Sequence, residues 1–181
     1  RSVTIAISIV LPVVFAGLVW WLANARPRKN VNDLLSPEVV TKADSVDQQY
    51  IAAMYRNDEA AWRSVMEFFP MEDNATNAAY HAKATLQLSR LFIGDGRLDE
   101  ANVLLDSLLQ EANIDQVYQA LALAQLCQLL DKLDRAEAFA QSRREFQTMY
   151  SELQVNNPTA ERLIDQTLNS EMRLTLGIDD S

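Results

Sequence analysis

Cysteine, histidine, glycine and proline are all scarce in this 181-residue chain, with one, one, four and five residues respectively. The single cysteine, Cys127, excludes an internal disulfide, and its apolar neighbours mark it as a small buried hydrophobe. Neither Cys127 nor the lone His81 has the CxxC or HxxxH company that holds a metal. Histidine-assisted nucleophilic catalysis would have to use His81, and no motif marks a Ser or Cys as its partner. A glycine-rich phosphate loop is missing, and the acidic pairs Glu72-Asp73 and Asp179-Asp180 lack EF-hand spacing. The chain therefore reads as non-enzymatic, with no cofactor, no metal and no small-molecule substrate. Cations are also the minority: a formal charge of −9 and a pI near 4.6 argue against nucleic-acid binding, which needs a basic face. With few helix breakers and no alternating strand pattern, the composition points to helices.

What is present begins with an apolar run. Residues 3–22 carry no charged side chain, a length that matches a hydrocarbon core of roughly 30 Å at about 1.5 Å of helical rise per residue. Trp20 and Trp21 stand at its end and Arg26, Arg28 and Lys29 follow, a set suited to the membrane interface. The expectation is a single-pass membrane protein, with a transmembrane anchor over 1–25, a juxtamembrane linker over 26–36 and a helical domain over 37–178. Ala23-Asn24-Ala25 also fits a cleavage site, so a removed signal segment is the rival reading. Which side of the membrane holds the domain stays open.

Downstream, helices are predicted over 37–56, 59–69, 77–93, 98–111, 114–130, 133–153 and 159–176, with 70–76 as a loop. Ser36, Pro37 and Glu38 supply a start signal for the first. Shifting the chain by 35 residues superposes Leu86, Leu88 and Leu91 on Leu121, Leu123 and Leu126, and Leu98-Asp99-Glu100-Ala101 on Leu133-Asp134-Arg135-Ala136. A period near 34 with small residues at fixed places marks stacked helical hairpins. Ala101 and Ala136 then permit close helix approach, and Gly96 serves the tight turn, with Asp131 in its place in the second copy.

Leu88, Ser89, Phe92, Gly96, Ala101, Leu105 and Leu108 stand where the tetratricopeptide repeat has its signature positions, and the chain resembles that family. Leu123, Ala124, Cys127, Asp131, Ala136, Ala140 and Arg143 form a second copy, and a third, more degenerate unit covers 44–69 with Ala61 in the small-residue place. The resemblance implies an all-α fold: an N-terminal transmembrane helix, then a tetratricopeptide-like helical-hairpin solenoid with a C-terminal capping helix. It specifies function poorly, since such repeats serve as scaffolds in many settings.

In stacked hairpins the first helix of each pair lines a concave face. By the repeat alignment its outward residues are Lys83, Leu86, Arg90 and Ile93, then Tyr118, Leu121, Gln125 and Gln128. Lys83 and Arg90 share one helical face, from which both can hold a carboxylate. Tyr118, Gln125 and Gln128 stand where the family's carboxylate-clamp version has basic and asparagine residues, so that version is not expected. Trp62, Phe68 and Phe69 form an aromatic group that fits the first unit's core. The leading reading is a membrane-anchored scaffold, an accessory or assembly subunit whose partners are other protein subunits, themselves in the membrane, and the bilayer through residues 3–22. An extracytoplasmic input module of a larger signalling protein and a translocon-associated chaperone-like protein are the alternatives.

Overall fold

The computed structural model describes residues 39–178. The anchor over 1–25, the linker over 26–36 and the interface residues Trp20, Trp21, Arg26, Arg28 and Lys29 lie outside them. Among the described residues, no helix is long and apolar enough to cross a membrane. This corrects the single-pass membrane location. The two longest described helices carry charge along their length, including Lys83 and Arg90 in one and Arg143, Arg144, Glu145 and Glu152 in the other.

The chain divides after Val39, and the described part of the unit from Val40 onward is built of helices, with no strand. Eight α-helices follow in order: α1 (Val46–Arg56), α2 (Glu59–Phe68), α3 (Ala75–Gly94), α4 (Leu98–Gln110), α5 (Gln116–Lys132), α6 (Ala136–Asn156), α7 (Pro158–Thr167) and α8 (Ser170–Leu176). A single 3-10 turn, Met71–Asp73, precedes α3. Helix starts are set by short polar side chains that bond free backbone donors. Asp58 accepts from the Ala61 amide at 2.8 Å, Asn74 from Asn77 at 2.8 Å, Asp115 from Val117 at 2.9 Å and Asn157 from Ala160 at 3.1 Å.

Two predicted boundaries are corrected. The first helix begins at Val46 rather than at Pro37, and residues 39–45 are not helical. Val39, Val40 and Thr41 are β-branched and poor helix formers, and Val39 is 84% exposed, so no packing compensates. The final helix is a pair of short ones. Asn169 caps α8 by accepting from the Met172 amide at 2.8 Å, which interrupts the helix after Thr167.

The hairpin turns correct the repeat alignment. In the turn between α3 and α4, Gly96 has φ +76° and the Arg97 amide donates to the Phe92 carbonyl at 2.8 Å. In the turn between α5 and α6, Asp134 has φ +55° and the Arg135 amide donates to the Leu130 carbonyl at 3.0 Å. Asp134, not Asp131, is thus the counterpart of Gly96, and the structural shift at the turn is 38 residues rather than 35. The difference of three is close to one helical turn of 3.6, so apolar faces superpose almost equally well under either shift. The burial of the two alanines reflects this: Ala101 is fully buried, whereas Ala136 is exposed.

The contacts have a regular order. The first helices touch in succession, α1 with α3, α3 with α5 and α5 with α7, while α2 also packs on α3, α4 on α5 and α6 on α7. Helix α5 is central and additionally meets α8, so every residue from Leu121 to Cys127 is buried. Trp62, Leu88, Phe92, Leu105, Leu108, Phe146 and Ile164 fill the core. At the far end, Arg143 Nε and Gln147 Nε2 both donate to the Leu176 carbonyl, at 3.2 and 2.9 Å, and tie α8 to α6.

Candidate partner-binding groove

Because the first helices run side by side, their outward residues converge. Tyr50 of α1, Lys83, Leu86, Gln87 and Arg90 of α3, Tyr118 and Leu121 of α5, and Leu163 and Thr167 of α7 line one cavity of about 160 Å3. Spacing explains the α3 set: positions 86, 87 and 90 lie three, four and seven residues beyond 83 and so share one face with it.

Lys83, Leu86, Arg90, Tyr118 and Leu121 are thus brought together. Ile93, Gln125 and Gln128 do not line the cavity. Gln125 instead lies beneath it, 1% exposed. Tyr50, Gln87, Leu163 and Thr167 escaped the sequence reading. Tyr50 belongs to the most degenerate unit, and in sequence α7 reads as part of one capping helix. The helical phase of Gln87, one residue beyond Leu86, was the one available signal.

Aromatic rings brace one side. Tyr50 tilts against Trp62 and Tyr80 with centroids 5.4 and 5.3 Å apart, and Lys83 Nζ stands 4.5 Å over the Tyr80 ring. Burial pushes the Tyr50 phenol above its ordinary range, although its hydrogen bond with Gln87 and the charge of Arg90 pull the other way. Burial, with the Asp115 carboxylate nearby, raises Tyr118 as well. Both phenols therefore keep their protons at neutral pH and can donate. Burial lowers the Arg90 guanidinium, which its position beside Tyr50 opposes, and a guanidinium stays charged regardless. Among the described residues the lining contains two cations and no Asp or Glu.

The remaining candidates have structural surroundings. Trp62 is 2% exposed and its Nε1 donates to Asn57 Oδ1 at 3.1 Å, while Phe69 lies beneath Lys42 at 4.9 Å. Cys127 is buried among apolar side chains, which pushes its thiol up to about 12. His81 is half-buried with no partner for Nδ1, and burial holds its pKa below the ordinary value. Among the described residues, no group of three His, Cys, Asp or Glu side chains is placed to hold a metal ion. A shallower cleft of about 480 Å3 lies between α4, α5 and α6, with Leu109, Leu123 and Met149 as its floor and Arg144, Glu145 and Glu152 around it.

The sequence matches no family model, and neither the curated proteins nor the solved structures contain a chain that matches it.

Proposed function

We propose that the helical unit is a tetratricopeptide-type docking scaffold that receives a partner polypeptide on the face formed by its first helices. In this reading the protein is a non-enzymatic accessory or assembly subunit of a larger protein complex. The observation that carries it is the convergence of α1, α3, α5 and α7 on one cavity whose lining, among the described residues, has two cations and no carboxylate, in a chain of formal charge −9. A cationic lining on an acidic molecule can attract a negatively charged segment. Support for the repeat type comes from the succession of first-helix contacts and from the left-handed residue in each of the first three hairpin turns, Asn57, Gly96 and Asp134.

Site-specific photo-cross-linking in cells tests the reading. A benzophenone side chain placed at Lys83 or Tyr118 is expected to give discrete protein adducts that weaken as salt rises. The same probe at Val103, exposed on α4, is expected to give none. Equal adducts from Val103 and from the groove would sink the proposal.

A further inference from the structure

The cavity holds two cations, Lys83 and Arg90, and Lys83 stands over the Tyr80 ring. Arg90 is half-buried, yet no Asp or Glu pairs with it among the described residues. Leaving a guanidinium without a carboxylate in a partly desolvated place is costly, and this chain has acids in excess with which to relieve it.

Arg90 is also held in position. Oriented to satisfy all its neighbours, the Gln125 amide accepts from Arg90 Nε at 2.9 Å and donates to Ser89 Oγ at 2.6 Å and to the Leu86 carbonyl at 3.2 Å. A buried neutral acceptor on α5 thereby fixes one edge of the guanidinium, while its two Nη groups have no protein acceptor among the described residues. The phenols of Tyr50 and Tyr118 line the same cavity and retain their protons. Leu86, Leu121 and Leu163 provide apolar wall.

We propose that this cavity is a receptor for a single glutamate side chain of an acidic partner segment. Its carboxylate would lie on the free edge of Arg90, and its methylenes would lie against Leu86, Leu121 and Leu163. The assignment rests on the docking reading above and specifies what the partner must present. Three observations favour a carboxylate over a phosphate. Only one guanidinium edge is free, Lys83 is engaged with the Tyr80 ring, and about 160 Å3 suits one short side chain. Planar two-oxygen recognition is what an arginine fork provides. Gln125 is a positioning residue: it touches Arg90, not the ligand.

The test is a titration of the full chain with a capped hexapeptide of alternating Glu and Ala, read by isothermal titration calorimetry. The Gln-for-Glu peptide and inorganic phosphate are the comparison probes. The Glu peptide is expected to bind at least about tenfold more tightly than the Gln peptide. Arg90→Met should remove that preference, and Arg90→Lys should restore part of it, because a lysine keeps the charge without the fork. Thr167→Glu supplies a second measurement that does not remove Arg90. A carboxylate planted on α7 at the cavity should occupy Arg90 from within the chain, block the peptide and leave the protein folded. Equal binding of the two peptides, an unchanged affinity in Arg90→Met, or displacement by phosphate at lower concentration than by the peptide itself would each overturn the glutamate site. If the peptide fails while Lys83 and Tyr118 still cross-link a partner, the docking reading survives and the glutamate site falls. Failure of both removes the docking reading too.

Discussion

Asp134 occupies in the second long hairpin the backbone position that Gly96 occupies in the first. Both have left-handed φ, +55° and +76°, and both precede an arginine whose amide closes the turn onto the end of the previous helix. The two sites make the same demand on the backbone, met by glycine at one and by a strained aspartate at the other. A Cβ at Gly96 would meet nothing within 4 Å, so any cost of adding one is purely conformational. Gly96→Ala is expected to destabilise by about 1 kcal/mol and Asp134→Gly to stabilise by about 0.5–1 kcal/mol. Thermal melts of the two variants should therefore shift in opposite directions, by about 2–4 °C each for a chain of this size.

Trp62 links the core to the groove. Its ring is buried against Tyr50, and its Nε1 donates to Asn57, the left-handed residue that ends α1. Trp62→Ala should cost about 3–5 kcal/mol, measured by urea unfolding, as for other large buried aromatics. Trp62→Phe should cost less, because it retains the packing and loses the bond to Asn57.

His81 makes stability depend on pH. Burial opposes its charge, while Glu111 and Glu72 favour it, and the net effect is a folded pKa below the ordinary value near 6.5. Between those two values the unfolded chain binds a proton that the folded chain refuses. Stability is therefore whole above about pH 6.5 and declines as pH falls toward the folded pKa. His81→Gln should flatten that part of the stability profile. A decline of the same size in the variant would show that carboxylates, not His81, produce it.

Cys127 should be inert in the folded protein. Its thiol is fully buried and pushed up to about 12, so at pH 8 only about one molecule in ten thousand carries the thiolate. A disulfide-exchange reagent should label it only at the rate of unfolding, and full labelling in urea is the control. Rapid labelling under native conditions would contradict the burial.

How much of this was legible beforehand varied by element. The helix of α2 was readable because Asn57-Asp58 is both a left-handed stop and a cap, and α4 because Gly96 and an amphipathic face delimit it. The break between α7 and α8 was not, since Leu168 continues the apolar pattern and is buried at 6% exposure. The repeat shift was misread for a related reason: periodic apolar faces tolerate a slip of nearly one turn, whereas a left-handed residue does not. In the groove, Lys83 and Arg90 were legible from their spacing on one helix. Tyr50, Leu163 and Thr167 were not, because their roles depend on which helices become neighbours.

Composition and helical phase by themselves determined that the unit is all-helical, where most of its turns fall and which residues of α3 face outward together. These are local properties, fixed by backbone propensity and by side chains a few positions apart. Only the tertiary structure decided that Gln125 would be buried beneath Arg90, that α1 and α7 would complete the cavity, and that no acid among the described residues would pair with that guanidinium. Those outcomes depend on residues far apart in the chain, whose partners and dielectric surroundings exist only once the helices have packed.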